Sequence, residues 1–298
     1  MGENRQQASD TTTVPADRQT LPELVGVYGG GRMGAGIAHA FLVSGSRVVV
    51  VEGDDSLAEA ARGRITTSIG KAAERGLLSR SVEDTLAGLT VTTTPTGLAG
   101  CGLVVEAVPE HTDLKLEVLR RAEQAAPDAV LATNTSSLSV SALADGLQAP
   151  EQFVGLHFFN PVPASDLVEV VVGRQTADAL VEQARGWVTA LGKTAITVQD
   201  SPGFASSRLG VAIALEAMRM VQEGVASVQD IDTAMTLGYR HPVGPLRTTD
   251  LVGLDVRLAI AEHLTRELGP RFEPPQVLRD KVAAGELGRK TGRGFYDW

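Results

Sequence analysis

Six residues, Gly29 to Gly34 (GGGRMG), constrain this chain more than any other stretch. They follow a short apolar run, LVGVYG, and open a helical pattern, GAGIAHAFLVSG. A second run, RVVVVE, then ends in Glu52, 23 residues after Gly29. Strand, glycine turn, helix, strand and acid together make one unit of a parallel α/β sheet. In such a unit Gly29 allows the tight turn, Gly31 lets a pyrophosphate approach the backbone, and Gly34 lets the helix pack close to the sheet. The helix N-terminus faces the phosphates. Glu52 is placed to accept hydrogen bonds from ribose hydroxyls. It would repel a 2'-phosphate, which favours NAD over NADP. The bland alternative is a glycine-rich turn with no ligand, and the complete unit weighs against it.

Six further apolar runs follow: LTVTTT, GLVVEAV, AVLATN, FVGLHFF, LVEVVV and TAITVQ. Helical patterns such as LKLEVLRRAEQAA and ADALVEQARGWVTALG lie between several of them. Continuous apolar strands alternating with helices predict a mainly parallel sheet covered on both faces. After Asp200 the strand signal stops at the breaker SPGF. The patterns RLGVAIALEAMRMVQEG, VQDIDTAMTLG, TDLVGLDVRLAIAEHLTREL and PPQVLRDKVAAG are helical. The expected fold class is α/β: a sheet domain over 23–201, then an all-helical domain over 202–298, with residues 1–22 a flexible leader.

Composition narrows the partners. The formal charge is -9, which disfavours nucleic acid and anionic membrane surfaces, since both need clustered Lys and Arg. No apolar run approaches the roughly 20 residues of a membrane span, and the polar leader has no signal-peptide core. Cys101 is the single cysteine, so no intrachain disulfide forms, which fits a reducing cytoplasm. No metal site is expected.

Three stretches carry candidate chemistry. GLHFFNPVPASDLVEVV holds His157 and, twelve residues on, Glu169 inside an aliphatic run. A histidine in such a run is more often a packed core residue, and the glutamate could face water from an edge strand. If the two strands are neighbours, Glu169 instead accepts from one imidazole nitrogen and leaves the other free as a base. TNTSSLSVSALA, at the carboxyl end of a strand, is open between a helix N-cap and a ligand contact. KTGRGFYDW is open between a tail anchored by Phe295, Tyr296 and Trp298, and a turn from which Lys290 reaches a phosphate or ribose.

Taken together, GGGRMGAGIA, VVEAVPEHTDLK, LATNTSSLS, GLHFFNPVP, LVEVV, DSPGF, EGVASVQDID, HPVGP, DLVGLD and LGRKTGRGFYDW resemble the L-3-hydroxyacyl-CoA dehydrogenase family, including its 3-hydroxybutyryl-CoA members. The resemblance runs from about Val25 to Trp298. It implies a Rossmann-like domain, a helical domain that forms a homodimer, NAD as cofactor and an acyl-CoA thioester as substrate. It gives His157 the role of base and Glu169 that of its orienting carboxylate. Ser136 then bonds the substrate oxygen, and Asn160 lies beside the substrate. Met33, Glu110, Lys115, Asn134 and Lys290 match cofactor contacts, with Glu52 in place of the usual Asp. Ser68 and Arg75 fall where the family places a Ser and a Lys near CoA. Three departures bear on substrate identity. Ser207 stands for an Asn that positions the substrate, so that Ser136 and Ser207 together would serve the developing oxygen. Ser165 and Asp166 stand for Met and Lys. Arg247 stands where many members carry an acid. The expected reaction interconverts an L-3-hydroxyacyl-CoA, short-chain such as 3-hydroxybutyryl-CoA, and its 3-oxoacyl form. The closest rival applies the same chemistry to a free hydroxy acid such as L-gulonate or L-carnitine, or to an acyl-carrier-protein thioester. A non-catalytic nucleotide-binding protein is opposed by the joint presence of His157, Glu169 and Ser136.

Overall fold

A computed structural model describes residues 20–298. Each of the eight apolar runs forms a strand: β1 (Leu24–Tyr28), β2 (Arg47–Val51), β3 (Leu89–Thr92), β4 (Leu103–Glu106), β5 (Val130–Thr133), β6 (Phe153–Phe158), β7 (Leu167–Val172) and β8 (Thr194–Gln199). They make one sheet in the order β3-β2-β1-β4-β5-β6-β7-β8. Neighbours run parallel except β6 and β7, which are antiparallel. The reason is the short connection over 159–166, since a parallel crossover needs about a dozen residues or more.

The helices between strands are α1 (Arg32–Val43), α2 (Asp55–Glu74), α3 (Val82–Ala87), α4 (Thr112–Ala125), α5 (Val140–Ala144) and α6 (Asp178–Ala190). Alternate strand residues serve opposite faces. Val25, Val27, Val48 and Val50 join Ile37 and Phe41 of α1, Ile65 of α2 and Trp187 of α6 in one core. Tyr28, Val49, Val51 and Val104 join Leu119 of α4 and Leu143 of α5 in the other. Burial on both faces is why these strands read as unbroken Val and Leu. The strand order reverses between β1 and β4, so the crevice beyond their carboxyl ends is the expected ligand position.

Beyond β8 come α7 (Ser206–Gln222), α8 (Val228–Thr233), α9 (Pro245–Val252), α10 (Leu254–Leu268) and α11 (Gln276–Ala283). Met218, Leu215, Leu246, Leu254, Leu264 and Leu278 form their shared core. The stretch TDLVGLDVRLAIAEHLTREL is two helices, broken at Gly253 with φ 106, a conformation that favours glycine. The final residues are a docked tail. Asp250 accepts from the backbone of Phe295 and Tyr296 and from the Trp298 indole, all within 2.9 Å. The Tyr296 hydroxyl donates to Asp232 at 2.8 Å.

Most of the expected leader, residues 1–19, lies outside the described residues. Leu21 and Pro22, assigned to it, are instead held by the fold. Leu21 packs on the first core, and the Pro22 carbonyl accepts from Ser46 at 2.8 Å. Among the described residues no helix is long and apolar enough to cross a membrane. Nor does any group of three or more His, Cys, Asp or Glu there stand ready to hold a metal ion.

Candidate active site

The glycine turn follows β1 at the strand-order reversal. Gly29 has φ 94, and a side chain there would press on Ala107 after β4 at 3.0 Å. A Cβ on Gly34 would lie 1.7 Å from the Gly29 carbonyl, so α1 can pack this closely only with glycine. A Cβ on Gly31 meets no protein atom within 4 Å, so the turn is open on the side where a ligand would approach. Helix α1 begins without a side-chain cap, which leaves its first amides available to an anion. Glu52 accepts from the Gly30 amide at 2.6 Å, which fixes the carboxylate beside the turn. Gly30 itself is required, because its Cβ would sit 2.4 Å from Ala61 of α2. An uncapped helix start, an open glycine and a positioned acid fit a dinucleotide.

His157 on β6 and Glu169 on β7 are direct register partners in the antiparallel pair. Spacing twelve residues apart thus becomes a cross-strand contact, with His157 Nδ1 donating to Glu169 Oε2 at 2.7 Å. Strand β7 lies between β6 and β8, and Glu169 is fully buried, so it does not face water from an edge. Its second oxygen accepts from the amides of Ser206 at 2.9 Å and Ala205 at 3.2 Å. The Ser206 hydroxyl donates to Oε2 at 2.9 Å. Burial alone would raise this carboxyl, but the bonds from His157 and Ser206 outweigh it and hold the pKa below the ordinary value. Glu169 is therefore an anion fixed against Nδ1–H. Nε2 makes no hydrogen bond to a described residue, and the ring lines a cleft of about 520 Å³.

That cleft gathers Met33, Glu110, Lys115, Asn134, Ser136, His157, Asn160 and Ser207 from both domains. TNTSSLSVSALA supplies a helix N-cap and one residue of the cleft wall. Ser139 caps α5 through the Ala142 amide at 3.1 Å, while Ser136 reaches the cleft. Glu110 shapes this loop. It accepts from the Thr135 and Ser137 hydroxyls at 2.6 and 2.9 Å and from the Ser136 amide at 2.9 Å. Asn134 also positions backbone, accepting from the Phe158 amide at 2.9 Å.

Other expected residues stand elsewhere. Lys115 is at the cleft wall but 1% exposed. Its ammonium lies on Glu106 at 2.7 and 2.9 Å and on the Val108 carbonyl at 3.2 Å, not free for a cofactor. Lys290 is paired with Asp255 at 2.6 Å and does not line the cleft. Ser68 and Arg75 lie on α2, away from the cleft; Ser68 bonds His39 at 3.0 Å and Arg75 is an exposed helix C-cap. Ser165 and Asp166 also stand outside the cleft, beside Lys193. Arg247 stacks over Tyr296 and Trp298, at 5.1 and 4.8 Å from their ring centres, and so belongs to the docked tail. Of the three departures only Ser207 faces the cleft.

The sequence and the fold resemble those of known proteins. Residues 24–201 match the model of the 3-hydroxyacyl-CoA dehydrogenase NAD binding domain, and residues 203–298 match that of the 3-hydroxyacyl-CoA dehydrogenase C-terminal domain. The chain belongs to the 3-hydroxyacyl-CoA dehydrogenase family. A probable 3-hydroxybutyryl-CoA dehydrogenase of Deinococcus radiodurans is 42% identical, over 92% of this chain and 99% of that protein. The human mitochondrial hydroxyacyl-coenzyme A dehydrogenase is 37% identical, over 99% and 97%. The crystal structure of a Ralstonia eutropha (S)-3-hydroxybutyryl-CoA dehydrogenase superposes with a TM-score of 0.89 at 38% identity, covering 93% of this chain and 99% of that one.

Within this member of the family, sequence reasoning missed Glu106, Ser206 and Arg257. Glu106 ends β4 and anchors Lys115. Ser206, not its neighbour Ser207, holds Glu169. Arg257 carried a readable signal. Leu254, Arg257, Ala261 and Leu264 are the buried stripe of α10, at helical spacing, so an arginine occupies a core position.

Proposed function

We propose that this chain is an NAD-dependent dehydrogenase that interconverts L-3-hydroxyacyl-CoA and 3-oxoacyl-CoA, with short acyl chains preferred. The observation that carries the reading is His157. One ring nitrogen is fixed by a buried carboxylate and the other is left to a cleft that also holds Ser136. Bound NAD would supply the acceptor for the hydride that leaves C3 of the hydroxyacyl group. The α1 amides and Glu52 would hold its pyrophosphate and ribose, with Met33 and Asn134 along the cleft. His157 Nε2 takes the C3 hydroxyl proton as the carbonyl forms. Glu169 keeps Nδ1 protonated and stabilises the imidazolium. Ser136 and Ser207 donate to the C3 oxygen or the thioester carbonyl. In reduction the imidazolium returns the same proton. The modest cleft, lined in part by Phe159, Val252 and Ile260, supports a short acyl group. So do the names of the Deinococcus and Ralstonia relatives.

The proposal includes a division at residues 201 and 202 between an NAD-binding and a helical domain. It also includes a homodimer through the latter, supported by the exposed apolar side chains Leu209, Leu237, Tyr239 and Val256. The lone buried Cys101, whose thiol burial pushes up to about 11, suits a cytoplasmic setting. The deciding assay is reduction of acetoacetyl-CoA with NADH against NADPH. NADH should be favoured, and His157→Ala should lose about 10²–10⁴-fold in kcat while still binding NADH. Near-wild-type turnover by that variant would remove the reading.

A further inference from the structure

Arg257 is unusual among the charged groups of the cleft. It is 8% exposed, and its Nε is buried without a hydrogen-bond partner. No hydrogen bond or ion pair joins its guanidinium to another described residue. The other cleft charges have partners. Glu110 has the Ser136 amide and the Ser137 hydroxyl; Lys115 has Glu106 and, at 3.3 Å, Glu110. The nearby Lys290 has Asp255.

A buried, uncompensated cation costs several kcal/mol unless something arrives to pair with it. Helix α7 makes room for this one. A Cβ on Gly210 would stand 3.5 Å from Nη1 and 3.9 Å from Nη2, so the guanidinium lies across bare backbone. Ser207, Gly210, Val252 and Ile260 line the cleft with it; the one carboxylate in the cleft lining, Glu110, is paired with Lys115 at 3.3 Å. Burial lowers the Arg257 pKa and no neighbouring acid acts against it, yet an arginine stays charged near neutral pH. Its planar fork matches a carboxylate in two parallel hydrogen bonds.

We infer that Arg257 recognises a carboxylate on the substrate, in addition to the hydroxyl that His157 deprotonates. The inference deepens the dehydrogenase reading and rests on it. The carboxylate has two possible sources: the far end of the acyl chain of a thioester, or the acid group of a free hydroxy acid.

Two matched pairs test it, each read as kcat/KM. One pair is a short 3-oxoacyl-CoA ending in a carboxylate and the methyl-ended thioester of equal length, with NADH. The other is a free 3-hydroxy acid and its methyl ester, with NAD. The wild type should favour the carboxylate member about 10- to 100-fold in one pair, and that pair identifies the source. Arg257→Met should abolish the preference and Arg257→Lys should retain part of it. Equal rates within both wild-type pairs would overturn the inference whether or not the variants fold. Where the thioester pair carries the preference, so would an equal loss on both of its members in Arg257→Met, because the CoA phosphates are common to both. The dehydrogenase reading is judged separately. Turnover of the methyl-ended thioester that depends on His157 upholds it, even where Arg257 confers no preference.

Discussion

Two buried carboxylates on the same sheet each hold a nitrogen-bearing side chain. Glu106 at the end of β4 holds Lys115 from α4. Glu169 on β7 holds His157 on β6. Both carboxylates are at most 1% exposed, and both are shared with a hydroxyl, Thr133 at 2.6 Å and Ser206 at 2.9 Å. The difference lies in what remains unpaired. Glu106 also accepts from the Val108 amide at 2.6 Å, and Lys115 uses its remaining donors on Val108 and Glu110, so the pair is closed. His157 keeps one nitrogen for the cleft. A buried carboxylate with a partner therefore says little about chemistry; an unpaired, cleft-facing atom on that partner says a great deal. The two carboxyls diverge accordingly. Burial raises Glu106 despite Lys115, whereas the bonds to Glu169 outweigh burial and lower it.

The largest expected effect is on the closed pair. Lys115→Met leaves the Glu106 carboxyl buried without its cation and should cost about 3–5 kcal/mol of stability. Adding Glu106→Gln should restore part of it, since neutralising both partners removes the stranded charge. Chemical denaturation of the two variants measures both. If Lys115→Met keeps full stability, the pair is not the clamp described.

Next comes the open pair. Glu169→Gln removes the anion that holds Nδ1–H and stabilises the imidazolium, so kcat should fall on the order of 10²-fold, with a much smaller effect on stability than Lys115→Met. Steady-state kinetics beside a melting curve checks the split. A variant that loses stability and keeps kcat would make the two pairs alike. The acid limb of stability carries the same contrast. The Glu169 carboxyl is lowered in the folded state, so the unfolded chain binds its proton more readily. Its contribution is present above the ordinary carboxylate pKa of about 4.3 and is lost as pH falls through the lower folded value. Melting temperatures followed from neutral pH down through that window should fall less steeply in Glu169→Gln than in the wild type.

How much of this was legible in the sequence follows from the range of each interaction. The eight strands were, because two-sided burial makes a parallel strand a run of Val and Leu whatever its neighbours. So was the glycine turn, where local backbone geometry decides the residue. The His157–Glu169 contact required knowing that β6 and β7 pair, and the short connection over 159–166 is what forces that pairing. Lys115 could be misread as a free cation because its partner, Glu106, belongs to a strand while Lys115 belongs to the next helix. Lys290 and Arg247 are likewise each claimed by partners far away in sequence, Asp255 and the C-terminal rings. Arg257 had the clearest unused signal, a charge on the apolar stripe of α10.

The smallest effect separates two adjacent serines. Successive residues on a helix point about 100° apart, so although both serines at the start of α7 line the cleft, only Ser206 directs its hydroxyl to Glu169. Ser206→Ala keeps the amide that reaches Glu169 at 2.9 Å and loses only the hydroxyl bond. Stability should fall by about 1 kcal/mol. The carboxyl should rise toward its ordinary value, so the acid limb of the pH–kcat profile should move to higher pH. Thr133→Val makes the equivalent cut in the closed pair, removing the hydroxyl that Glu106 accepts at 2.6 Å. It should cost a similar amount of stability and leave the pH–kcat profile where it was. A matching shift in both profiles would mean that Glu106 feels the reaction as closely as Glu169, and the distinction between a clamp and a working pair would fall.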